Sequence, residues 1–223
     1  MEEQKVSVVL FGYLNCGKTT FLKPLQSLPF DKQYNPSSDK ETTDVELQYE
    51  NVTVQTTITE FSGNAFTCSN NLRTIDFGKM GTIHIFFIAQ NDEATPNFFD
   101  GFSRSPNYAL CQKEIMVLVV TKVDQKEGRE RNVQIQETAK ENDALYYEVS
   151  MKEDPAQVKV IMNEILRKYF EQQEDLMSFS FTSFDSIMSC RKGLKHNQHS
   201  DRKLQSQKKI NNRKVKTKKC ILL

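Results

Sequence analysis

Val6-Ser7-Val8-Val9-Leu10-Phe11 runs straight into Gly12-Tyr13-Leu14-Asn15-Cys16-Gly17-Lys18-Thr19, and the chain continues as Thr20-Phe21-Leu22-Lys23. The first six residues are an apolar run rich in Val, the next eight match GxxxxGK[ST] in full, and Thr19–Ser27 has helical spacing. Strand, glycine loop and helix in that order is the context this motif requires. Backbone N–H groups of the loop and the helix start gather around phosphates, Lys18 brings a point charge to the β- and γ-phosphates, and the Thr19 hydroxyl suits Mg²⁺. A chance glycine turn ahead of a helix is the alternative.

Working outward, Ile83–Ala89, Ile115–Thr121 and Tyr146–Val149 are further short runs of β-branched and aromatic residues, the pattern of strands covered on both faces. Helical spacing returns at Asn132–Glu141 and at Pro155–Gln172, where Val158, Ile161, Ile165, Leu166 and Tyr169 share one side. Such alternation predicts an α/β fold, a doubly wound, mostly parallel sheet of the P-loop NTPase kind. Asp44–Tyr49 and Val52–Ile58 alternate polar and apolar residues around Glu50-Asn51. They predict a hairpin that adds one antiparallel edge strand.

Composition bounds the rest. The 223 residues are 38% hydrophobic with 15 Phe and no Trp, below the usual globular share, so part of the chain is expected not to pack. The net charge of +1 hides an asymmetry: from Arg191 onward 12 Lys or Arg face one acid, Asp201, which leaves 18 basic and 28 acidic residues before it. An acidic body of charge −10 thus carries a basic tail of charge +11. Ser178–Phe184 reads as a linker, and the stretch from Arg191 to Lys219 is too polar for burial to offset its ordering entropy. Five Cys without CxxC spacing indicate neither a zinc site nor a disulfide framework. The acidic N-terminus suggests no secretory signal, and no apolar stretch approaches the roughly 20 residues a spanning helix needs.

A second motif bears on the base. Thr121-Lys122-Val123-Asp124 closes the Ile115–Val120 strand, where an Asp at the sheet's carboxyl edge can accept both N–H donors of guanine. Adenine presents a different edge, so this choice favours GTP over ATP. Glu148-Val149-Ser150-Met151-Lys152 ends the next strand and supplies a second wall through Ser150, Met151 and Lys152.

Together these elements resemble the Ras superfamily of small GTPases, in order and spacing, over residues 5–172. The resemblance implies a Ras-like G domain over 1–172 that binds GTP or GDP with Mg²⁺. Its implied nucleotide-binding residues are Gly12, Leu14–Thr20, Phe30, Gly63, Thr121, Lys122, Asp124 and Ser150–Lys152. Phe30-Asp31-Lys32-Gln33-Tyr34-Asn35-Pro36-Ser37 looks like the first switch, with Phe30 edge-on to the base and Ser37 joining Thr19 as a metal ligand. Glu60-Phe61-Ser62-Gly63-Asn64 is similar to the DxxGQ of the second switch. It implies Glu60 at the metal, and Asn64 with Lys18 in hydrolysis.

Three departures touch catalysis. Glu60 stands for Asp, Asn64 for the Gln that orients water, and Leu14 for a Gly on the path of an activating arginine; Met151, for an Ala, is a lesser one. Slow GTP hydrolysis to GDP and phosphate is the resulting expectation.

Cys220-Ile221-Leu222-Leu223 is a C-a-a-X box with X = Leu, the geranylgeranyl type, below a run that includes Lys208, Lys209, Arg213, Lys214, Lys216, Lys218 and Lys219. One lipid plus a polybasic patch is a two-signal anchor for the cytoplasmic face of a membrane. A nuclear-localisation or nucleic-acid arm would account for the basic run but not for the box, so no nucleic-acid partner is expected. Residues 173–219 are then a linker and tail, disordered when free. His84 reads as a packed core residue, Cys16 as a loop filler rather than a redox thiol, Cys190 as an open acylation candidate, and Phe179, Phe181 and Phe184 as packing residues.

The expected function is a lipid-anchored GTP/GDP switch that works with effector, exchange-factor and activating proteins. A prenylated scaffold that holds GTP persistently, or binds no nucleotide, is the alternative; a P-loop ATPase or kinase fits the TKxD motif less well.

Overall fold

The computed structural model describes residues 4–31, 40–63, 81–92, 115–125 and 128–174. The chain divides into two units, Met1–Phe170 and Glu171–Leu223. Its elements are β1 (Gln4–Phe11), α1 (Lys18–Leu25), β2 (Lys40–Tyr49), β3 (Val52–Phe61), β4 (Ile83–Ala89), β5 (Ile115–Thr121), α2 (Arg131–Glu141), β6 (Leu145–Val149) and a helix, α3, over 157–174. The six strands form one sheet in the order β2-β3-β1-β4-β5-β6. All neighbours are parallel except β2 and β3, which pair antiparallel from Lys40↔Phe61 to Tyr49↔Val52. This is the α/β P-loop architecture of the sequence reading.

Every residue of β4 and β5 is buried, which is why both read as near-continuous apolar runs with sharp limits, interrupted inside only by His84. Alternation along β1 divides the core between the two faces of the sheet. Val6, Val8 and Leu10 join Phe21 and Leu22 of α1 and Val158, Ile161 and Ile165 of α3 on one face. On the other, Val9 and Phe11 pack with Phe86, Leu118, Val120 and with Ile135 and Ala139 of α2. His84 is fully buried there, its ring T-shaped against Phe11 at 5.3 Å between centroids. It is the packed core residue expected.

Several element ends differ from the spacing by one to four residues, and three of the differences have a visible local reason. α1 stops at Leu25 rather than Ser27, because the chain folds back in a left-handed cap: Ser27 takes φ 60° and the N–H of Leu28 donates to Lys23 O at 2.8 Å. The hairpin is longer than its alternation, since Lys40–Asp44 pair with β3 while remaining mostly exposed at the sheet edge. Pro155 and Ala156 form a turn before α3 begins. Among the described residues no helix is long and apolar enough to cross a membrane.

The carboxyl ends of β1, β3, β5 and β6 all open onto one edge of the sheet. The loops leaving them carry Gly12–Gly17, Ser62-Gly63, Lys122–Gln125 and Ser150–Lys152. A parallel sheet binds its ligand at this edge.

Candidate functional site

A cleft of about 400 Å³ lies at that edge, within the range of small-molecule sites. Leu14–Thr20 form its floor, Glu60 and Gly63 close one end, and Lys122, Asp124, Met151 and Lys152 form the other, with Phe30 at the side. Fourteen of the residues expected from the sequence therefore share one cavity. Gly12, Thr121 and Ser150 do not line it but hold residues that do. Ser37 and Asn64 lie outside the described residues, as does Cys220.

At the glycine-loop end of the cleft, α1 follows Gly17 with no side-chain cap hydrogen bond and no acidic residue in its first turn. The orphan N–H groups and positive end of the helix dipole are thus left for an anion. Lys18 is buried, and its ammonium donates to Gly12 O at 2.8 Å and Tyr13 O at 3.0 Å. It is held over the loop rather than extended into solvent, a point charge aimed by two carbonyls. The Cys16 sulfur lies 3.7 Å from the Lys18 Nζ. Burial pushes the Cys16 thiol up, with the nearby Lys18 charge only partly opposing it. A thiol kept protonated is a weak nucleophile, consistent with a loop filler.

Beside it, the Thr19 hydroxyl donates to Glu60 Oε1 at 2.7 Å. The extra methylene of Glu60 therefore does not keep its carboxylate from the threonine. Glu60 is 3% exposed, and its second oxygen, Oε2, has no hydrogen-bond partner among the described residues. Burial raises this carboxyl above the usual range and the Glu41 charge adds to that, while the Thr19 bond and the Lys18 charge act against it. A buried carboxylate oxygen left open next to a hydroxyl fits a hard divalent cation, which takes oxygen ligands.

Gly63 meets the phosphate loop directly. A Cβ built there would stand 2.2 Å from the Leu14 nitrogen and 2.5 Å from the Tyr13 carbonyl carbon. Both are backbone atoms, so only glycine permits the approach. The Leu14 side chain is 41% exposed at this end of the cleft.

At the other end the geometry is set by long-range hydrogen bonds. Thr121 Oγ1 donates to Cys16 O at 2.7 Å, joining the loop after β5 to the loop after β1 across 105 residues of sequence. Ser150 Oγ donates to Asp124 Oδ1 at 2.8 Å, and Lys152 Nζ lies 3.4 Å from Asp124 Oδ2. Burial works against ionising Asp124, but these donors and the Lys152 charge outweigh it and leave the carboxyl below its ordinary value. An ionised, oriented carboxylate at the back of a cleft is an acceptor for two N–H donors on one edge of a base. Burial lowers the Lys122 ammonium, so its stem acts as an apolar wall as much as a charge.

Lys23, Asp31 and Gln125 also line the cleft and were not among the expected residues. Lys23 follows Thr19 by four positions on α1, one turn along the same face, a signal the spacing did offer. Its ammonium pairs with Asp31 at 3.4 Å beside Phe30. Among the described residues no cluster of three or more His, Cys, Asp or Glu could hold a metal. Any cation here depends on mixed oxygen donors.

The family model described as the Ras family matches residues 7–171, a span of 165 of the 223 residues. No curated protein matches the chain.

Proposed function

The chain belongs to the Ras family, and from that premise we propose that it is a small GTPase that binds GTP and GDP with Mg²⁺, hydrolyses GTP slowly and acts as a lipid-anchored switch. The observation that carries this reading is the convergence of Lys18, Thr19, Glu60 and Asp124 on one cleft. In this reading Lys18 and the loop amides bind the phosphates, Asp124 reads the guanine edge, and Phe30 packs at the side of the base. Thr19, Glu60 and Ser37 would hold Mg²⁺, which neutralises charge on the β- and γ-phosphates when bound. Asn64 would orient the attacking water, with a shorter reach than a Gln.

The rate expectation is tested by phosphate release from GTP-preloaded protein in a single turnover. Asn64→Gln is expected to accelerate it roughly tenfold, the equivalent of about 1.4 kcal/mol of positioning. Wild-type turnover at ordinary Ras-like rates with no gain from Asn64→Gln would mean that another residue positions the water. A switch that stays GTP-bound is the second reading. Leu14 favours it, because a branched, exposed side chain stands at the phosphate end, where an activating side chain would enter.

Anchoring is proposed to use two separable signals, a prenyl group on Cys220 and the basic run before it. The Cys220→Ser protein is expected in the cytosolic fraction of cells. Neutral replacement of the lysines at 214, 216, 218 and 219 is expected to weaken or redirect attachment while leaving the lipid in place. Unchanged membrane association of Cys220→Ser would exclude prenylation as the anchor.

A further inference from the structure

Two buried polar residues behind the cleft are not used by the site described above. Gln90 follows the last residue of β4 and is 2% exposed; Asn132, in the first turn of α2, is 5% exposed. Neither lines the cleft. We infer that Gln90 and Asn132 are positioning residues that set guanine selectivity by bracketing the base-reading loop 121–125. The inference deepens the proposed function and rests on its assignment of Asp124 to the base.

Gln90 holds both ends of that loop. Its main-chain N–H donates to Thr121 O at 2.9 Å, and its side-chain Nε2 donates to the carbonyl of Gln125, the residue after Asp124. The loop between these two ties includes Lys122 at φ 59°, a left-handed conformation that a lysine adopts only when its surroundings impose it. The side-chain orientation follows from the donors available. A carbonyl can only accept, so Gln90 must present its nitrogen to Gln125, which turns Oε1 toward α2. There it accepts from Asn132 Nδ2 at 2.9 Å, while Asn132 Oδ1 has no hydrogen-bond partner among the described residues. The Asn132 amide is thus committed to orienting Gln90.

The chain after the loop is fitted to the same residue. Gly128 takes φ 80°, and a Cβ there would lie 2.0 Å from Gln90 O and 2.6 Å from the Arg131 guanidinium. Base loop, β4 and the start of α2 are therefore joined through one glutamine.

Selectivity depends on this more than affinity does. Two-point reading of guanine by Asp124 requires N1–H and the 2-amino group to meet both carboxylate oxygens together, and a displaced loop loses the two-point fit before the one-point contact. Hypoxanthine keeps N1–H and lacks the amino group. A loosened bracket should therefore release GDP faster than it releases IDP.

The test measures dissociation of GDP and IDP from the full-length chain with Mg²⁺, for wild type, Gln90→Leu and Asn132→Ala. Gln90→Leu removes the side-chain tie and leaves the Gln125 carbonyl without that donor, so GDP release is expected to accelerate about tenfold and IDP release about threefold. The advantage of GDP over IDP then shrinks about threefold. Asn132→Ala keeps the Gln90–Gln125 bond, so a smaller change in the same direction is expected, and this variant decides the matter if Gln90→Leu does not fold. Equal acceleration of both nucleotides would reduce the pair to a structural role, and unchanged rates would exclude even that; either overturns the inference while Asp124 remains the base reader. A wild type that does not distinguish GDP from ADP would instead overturn the base assignment itself, and the inference with it.

Discussion

Asp124→Asn is expected to lower affinity for GDP by roughly 10²–10⁴, since two hydrogen bonds to a charged acceptor are worth about 1.5–3 kcal/mol each. The loss should be confined to the base. Lys18, Thr19 and the start of α1 are untouched, and Thr121 still bonds Cys16 O. The variant should also fold, because an Asn oxygen can keep the Ser150 hydroxyl that now donates to Asp124 Oδ1. Its amide presents a donor where the carboxylate offered only acceptors, which suits xanthine, whose C2 carries an oxygen in place of the amino group. Competition binding should therefore show XDP displacing GDP as the preferred ligand. Equal GDP affinity in the two proteins would remove Asp124 from the base, because a charged two-point acceptor cannot be lost without cost.

Gly63→Ala is expected to slow single-turnover GTP hydrolysis by about 10²-fold, on the scale of a misplacement of about 1 Å in an active site. The added Cβ would stand 2.2 Å from the Leu14 nitrogen. Because that neighbour is backbone, the segment must move off the phosphate loop rather than rearrange a side chain. Asn64 is the next residue in sequence, so the proposed water-orienting group moves with it. GDP dissociation should change by no more than a few fold, since the Thr121–Cys16 and Ser150–Asp124 bonds lie at the other end of the cleft. Hydrolysis at the wild-type rate would show that close approach of Gly63 to Leu14 is not part of catalysis.

How much was legible in the sequence depended on whether its physical cause was local. β4 and β5 were read to the residue because burial on both faces leaves a near-continuous apolar run, with His84 its one internal polar residue. The first four residues of β2 were not, because Lys40–Thr43 sit at the sheet edge, and their pairing with β3 comes from the partner strand and not from their own pattern. The end of α1 depended on a cap through Ser27, a residue that rarely signals a left-handed turn. In the site, motif residues were legible because phosphate and base chemistry dictates their types at fixed spacing. Thr121 was placed in the base pocket, yet its hydroxyl serves the phosphate loop, a bond spanning 105 residues that no local window contains. Gln90 had no signal beyond being polar after an apolar strand. Its role emerges only once Gln125 and Asn132 are folded against it.

Whether this cleft holds a guanine nucleotide is read from the nucleotide that the purified protein carries. The full-length chain would be purified from a eukaryotic host in the presence of Mg²⁺, denatured, and its released nucleotides separated and quantified. Close to one guanine nucleotide per chain is expected, lost from the Asp124→Asn protein and released from wild type when Mg²⁺ is chelated. An adenine nucleotide in its place, or none at all in protein shown to be folded, would contradict the guanine assignment.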